Sequence, residues 1–103
     1  MKAFRIDPVE RTVEAIEIHN TGDIAEVIGF DSIISDEVGP NGDRLFLDED
    51  CFIRGSMGRL RIDQIAPVAG VGVVVGGNEA GDVLLDVSQS LDDLKARLQY
   101  IES

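Results

Sequence analysis

The sequence predicts an α+β fold. The expected core is a mostly antiparallel sheet of five to seven strands, with a short helix near residues 22–28 and an amphipathic helix near 91–101. Three observations carry this. Short apolar runs alternate at period two, turn signals interrupt them at fairly even spacing, and only the last segment sustains a helical spacing of leucines. The chain has 103 residues, 44% of them hydrophobic. That suits a single domain over 1–103 with one buried core.

Residues 2–7 read as a strand, with Phe4 and Ile6 on one face and Ala3, Arg5 and Asp7 on the other. Two readings compete over 8–19. Asp7, Pro8 and Glu10 resemble a helix start, with Val9, Val13 and Ile16 at helical spacing. The β-branched content of Thr12–Ile18 instead favours a strand after a turn at Pro8, and that reading is adopted. Its apolar phase slips between Val13/Ala15 and Ile16/Ile18, which calls for a bulge.

Asn20 or Thr21 can cap a helix over 22–28, with Ile24, Val27 and Ile28 as its apolar face and Gly29 as its stop. A strand follows at 32–38 around Ile33-Ile34. Gly39-Pro40-Asn41-Gly42-Asp43 turns the chain, and Arg44–Asp48 returns. After a second turn at 48–50, Cys51–Arg54 reads as extended, and 55–58 as a glycine-rich loop. Arg59–Asp63 alternates, with Leu60 and Ile62 inward. Val68–Gly76 and Asp82–Val87, joined by a turn at 77–81, read as the central hairpin. Ser90-Leu91-Asp92-Asp93 opens the last helix, whose acids favour the positive end of the helix dipole. Leu91, Leu94, Leu98 and Ile101 mark its buried face, and Lys95 and Arg97 lie toward its other end.

Twenty acidic residues face nine basic ones, a net charge of −11. Direct contact with nucleic acid or anionic lipid needs a basic patch, so both are disfavoured as partners. The expected partners are basic proteins, cations, or further copies of the chain under high salt. The acids are unevenly spread: no basic residue falls between Arg11 and Arg44, or between Arg61 and Lys95. Arginines instead group at 44, 54, 59 and 61, which predicts an acidic face and a more neutral patch. No apolar run is long enough to span a bilayer, and the first residues lack the apolar stretch of a signal peptide. The single cysteine, Cys51, allows no internal disulfide. A reducing, cytoplasmic location is the expectation.

Each residue group with chemical potential has a plainer reading. Gly70-Val71-Gly72-Val73-Val74-Val75-Gly76 lacks the following helix that a phosphate-binding loop requires, and reads as a hairpin strand. His19 sits at a strand end without an oriented nucleophile, and reads as exposed or cap-bonding. Cys51 lies beside Asp48, Glu49 and Asp50, whose charge opposes thiolate formation, so it reads as a small core residue. Asp43, Asp48, Glu49 and Asp50 lack the spacing of a dedicated calcium loop. Arg54, Arg59 and Arg61 suit an anion pocket, but read more simply as a solvated strand face. No catalytic residue, cofactor or metal ligand is assigned.

Several segments together resemble a family of small, uncharacterised bacterial and phage-borne domains of unknown function. They are Ile6-Asp7-Pro8, Arg11-Thr12-Val13, Ile28-Gly29-Phe30-Asp31, Gly42-Asp43, Phe46-Leu47-Asp48-Glu49, the run from Pro67 to Gly76, Gly81-Asp82 and Ser90-Leu91-Asp92-Asp93-Leu94. The resemblance supports the strand reading of Thr12–Ile18. Asp50-Cys51 and the loop at 55–58 depart from the family pattern. It implies a fold but no activity, cofactor or site. The functional expectation is a non-enzymatic acidic binding or accessory module, acting through a sheet edge or the glycine-rich hairpin. The alternatives are a nucleic-acid-mimicking decoy of a DNA-binding protein, and a small enzyme using clustered carboxylates or Cys51.

Overall fold

Strand β1 (Lys2–Asp7) pairs antiparallel with β2 (Thr12–Glu17) in an unbroken register from Lys2↔Glu17 to Asp7↔Thr12. The computed structural model describes residues 1–39, 41–63, 66–77 and 83–101. No bulge is needed in β2, because the sheet is buried on both faces. Val13 packs with Phe4 and Ile6 on one side, and Ile16 packs with Ala3 on the other. Both apolar phases therefore point inward.

Helix α1 (Thr21–Ile28) starts where the Asn20 side chain accepts from the Asp23 N–H, and stops at Gly29 in the left-handed region. It buries Ile24 and Ile28. Strands β3 (Ile33–Glu37) and β4 (Arg44–Asp48) form an antiparallel pair.

Two segments differ from expectation here. Cys51–Arg54 forms a single helical turn, α2, rather than an extended stretch. Gly55 at φ 71° ends it, its N–H donating to the carbonyls of Cys51 and Phe52. That glycine is a helix stop, and it overrides the extended preference of Phe52 and Ile53. The valine-rich run is also not one strand. It divides at Gly70 (φ 81°) into β6 (Val68–Ala69) and β7 (Gly72–Gly77), which join different sheets.

Strand β7 is central, flanked by β1 and β4 in the order β2-β1-β7-β4-β3. The returning strand β8 is only Leu84–Leu85, paired with the end of β7 at Gly76 and Gly77. The predicted turn at 77–81 lies largely outside the described residues. At Gly76 a Cβ would sit 2.1 Å from the Asp86 carbonyl oxygen, so only glycine lets residues 85–86 cross this closely. All of β7 is buried.

A second, three-stranded sheet runs β6-β5-β9, with β5 spanning Arg59–Ile62. Its third strand corrects the last element. Helix α3 covers only Leu91–Arg97, and Leu98–Ile101 is strand β9, paired with β5 from Arg59↔Ile101 to Ile62↔Leu98. Leu98 turns extended (φ −87°, ψ 134°), and the Arg97 carbonyl accepts from the Asp63 N–H. The helix end thus finds a strand partner instead of another turn. Leu98 and Tyr100 then alternate inward with Leu60, which suits the period of a strand as well as Leu94 suits the helix.

The result is α+β, with every described strand pairing antiparallel. Helix α1 covers one face of the six-stranded sheet through Ile24, Ile28, Phe46, Val73 and Val75. The small sheet, Cys51 of α2 and Leu94 of α3 cover the other, against Phe4, Ile6, Leu45 and Val74. Each such fully buried side chain stabilises by about 1.5–3 kcal/mol. Among the described residues no helix is long and apolar enough to cross a membrane.

Candidate functional site

The one-turn helix α2 points one side chain inward and three outward. Cys51 is 2% exposed and packed in the core. Phe52 and Ile53 project into solvent at 54% and 87% exposure, and Met57 in the next loop is 72% exposed. A single helical turn has only one buried side, so anchoring by Cys51 forces its neighbours out. Gly58 fixes the loop beyond. At φ 77° it lies so close to the Pro8–Val9 backbone that a Cβ would approach within 2.9 Å. This contact sets exposed Val9 beside the Met57 loop.

Two arginines frame the face. The Arg54 guanidinium lies 4.1 Å from the centroid of the Phe30 ring, and that of Arg59 lies 5.4 Å from the Phe52 ring. Both separations are within cation–π range. Arg54 is also held from below. Its Nε donates to Asp48 Oδ2 at 2.8 Å, and its Nη2 is 3.7 Å from Asp50 Oδ2. Asp48 is buried, and its other oxygen accepts from the Asp50 N–H. A buried carboxylate thus fixes a surface guanidinium, which in turn covers an aromatic ring. The face combines an apolar centre with preset planar cations, a combination common at binding hot spots.

The residues singled out from sequence are dispersed. Arg54 and Arg59 stack on different rings, while Arg61 donates to Gln99 Oε1 on β9, so the three form no common anion pocket. The acidic group also separates. Asp43, 1% exposed, accepts from the Ser88 N–H (2.9 Å), the Ser88 hydroxyl (2.8 Å) and Gln89 Nε2 (3.0 Å). Asp48 instead serves Arg54, and Glu49 is exposed. His19 is exposed at the start of α1. Its N–H donates to Asp23 Oδ2, and its Nδ1 lies 3.1 Å from the same oxygen. The Asp23 carboxyl is held below its ordinary value, first by the His19 backbone N–H. The residues Gly70–Gly76 form a bend and a central strand, and the next described element is strand β8.

Among the described residues no group of three or more His, Cys, Asp or Glu side chains is placed to hold a metal ion. Two clefts stand out among the described residues. One of about 490 Å³ lies over Lys2, Phe4, Ile16 and Val87. The other, of about 410 Å³, opens between Arg11–Val13, Lys95, Leu98 and Tyr100. Sequence reasoning passed over Phe30, Phe52, Ile53 and Met57. The available signal was Gly55 as a helix stop, which places Cys51 and Ile53 on different sides of a turn. No family model matches the chain, and neither does any curated protein or solved structure compared with it.

Proposed function

We propose that this chain is a non-enzymatic binding module of a reducing, cytoplasmic compartment, and that it docks a basic protein on the α2 face. The observation that carries the reading is the outward placement of Phe52, Ile53 and Met57 around a clamped Arg54. Exposed apolar groups clustered on a rigid support favour burial against another surface. Charge favours the basic partner. Exposed Glu10, Asp31 and Glu49 are chain neighbours of Val9, Phe30 and Asp48, Asp50 lies beside Arg54, and the whole chain carries −11. That field accelerates encounter with a positive surface and opposes a negative one. Homo-oligomerisation through this face is disfavoured by the same repulsion.

The test uses synthetic peptides with one apolar core, flanked by either lysines or glutamates. Wild-type protein is expected to bind the lysine-flanked peptide, more weakly as salt rises. Ile53→Asp is expected to weaken binding at least about tenfold while leaving the melting temperature unchanged, because Ile53 packs little in the free protein. Three results would overturn the reading: no binding of either peptide, equal binding of both, or a wild-type dimer that Ile53→Asp dissociates.

A further inference from the structure

We propose that the cleft between β2, α3 and β9 binds a small organic anion, a carboxylate or phosphate head on a ring-bearing body. Its walls divide by chemistry. Val13, Leu98 and Tyr100 are half-buried and form the floor. Arg11, Thr12 and Lys95 are exposed and stand at the mouth. Among the described residues no acidic side chain lines it, although acids outnumber bases by more than two to one in the chain. Two of the nine basic residues converge here from segments more than eighty positions apart.

Among the described residues Arg11 and Lys95 take part in no ion pair. Asp7, the nearby acid, is engaged elsewhere: one oxygen accepts from the Val9 and Glu10 N–H groups, and the other lies 3.5 Å from Arg5 Nη2. Arg11 lines the cleft from a backbone position in the left-handed region, at φ 57°. Its guanidinium lies 6.0 Å from the Tyr100 ring centroid. Burial, with Asp7 next, raises the Tyr100 pKa, so its hydroxyl stays protonated at neutral pH and can donate.

The chemistry selects the ligand. Arginine presents a planar fork to carboxylate or phosphate oxygens, and lysine adds a point charge. The apolar floor with its tyrosine ring suits a flat body above it. The volume, about 410 Å³, is in the range of small-molecule sites. None of these residues belongs to the α2 face, so this inference stands or falls separately from the docking surface.

The test titrates the full chain with phenyl phosphate, benzoate and inorganic phosphate, read by amide chemical shifts. Saturable binding of a ring-bearing probe is expected at a Kd of about 1 mM or below. Perturbed amides should cluster at 11–13 and 95–100, and the tighter of the two ring-bearing probes identifies the head group. Inorganic phosphate is expected to bind at least about threefold more weakly, lacking the contact with the floor. Arg11→Gly and Lys95→Ala are each expected to weaken binding at least about fivefold. Glycine accepts the left-handed turn without strain, so loss in that variant does not reflect unfolding. No saturation by any probe, shifts confined to other surfaces, or wild-type affinity in both variants would overturn the proposal.

Discussion

Strand β4 is bounded by a buried carboxylate at each end, and the two serve opposite purposes. Asp43, just before the strand, accepts three hydrogen bonds from Ser88 and Gln89. Gln89 Oε1 accepts from Arg97 Nη1, Arg97 Nη2 donates to the Val38 carbonyl, and the Val38 N–H returns to the Asp43 carbonyl. That closed circuit ties Val38 after β3 and Asp43 before β4 to Gln89 and to Arg97 of α3. Asp48, at the other end, turns outward to Arg54, which covers Phe30 at the surface. The first carboxylate fixes interior wiring, and the second presents a face. Burial alone does not tell them apart, since Asp43 is 1% and Asp48 3% exposed. Their donors do.

Replacing each carboxylate in turn is the strongest way to break this contrast. Asp43→Ala is expected to cost about 2–3 kcal/mol in denaturant unfolding, because it leaves three part-buried donors without their acceptor. The remaining folded molecules should bind the lysine-flanked peptide as before. Asp48→Ala is expected to cost less, about 1–2 kcal/mol, since Arg54 can turn to solvent. It should nonetheless weaken peptide binding, because the guanidinium loses its clamp. Equal loss of binding in both variants would remove the distinction.

Arg97→Ala sharpens the same circuit through pH. Its guanidinium donates to both Asp63 oxygens and holds that carboxyl below its ordinary value of 3.8. A depressed carboxyl pKa adds stability that is complete above the unfolded value. That stability is lost as pH falls from about 4 through the folded pKa. The Asp63 side chain is 45% exposed, so this part is modest, at most about 1 kcal/mol. Stranding Gln89 and the Val38 carbonyl brings the total cost at neutral pH to about 1–3 kcal/mol. Wild type and variant should therefore converge in part below pH 4 in acid-unfolding curves. Curves that stay parallel would separate Asp63 from the circuit.

Much of this scaffold was legible because it rests on local rules. Asn20, Gly29 and Ser90 are helix signals read within four residues, and Phe4/Ile6 alternation needs only β1 itself. The α2 turn was missed because four residues are too few to establish a period, and β9 because Leu98 and Ile101 continue the helical spacing of Leu91 and Leu94, whereas the strand buries Leu98 and Tyr100. The division of the valine run at Gly70 was hidden for another reason. Both halves are fully buried, so neither shows an alternating pattern. The circuit joins positions 38, 43, 63, 89 and 97, with sequence separations such as 45 residues between Asp43 and Ser88. No spacing rule reaches that far. The α2 face depended on knowing which side of a single turn Cys51 anchors.

The smallest effect concerns two non-glycine residues in the left-handed region, Arg11 at φ 57° and Asp63 at φ 53°. Both carry backbone strain of about 1 kcal/mol. Asp63 recovers it through Arg97, whereas Arg11 makes no ion pair among the described residues. Glycine should therefore act with opposite sign at the two sites. Arg11→Gly is expected to raise stability by up to about 1 kcal/mol, offset in part by the greater freedom of the unfolded chain. Asp63→Gly should lower it, because relief of strain does not replace the carboxylate that anchors Arg97. Thermal melts of the two variants at neutral pH decide the matter. A gain at Asp63, or a loss at Arg11, would mean that strain and side-chain contacts are apportioned differently between the two turns.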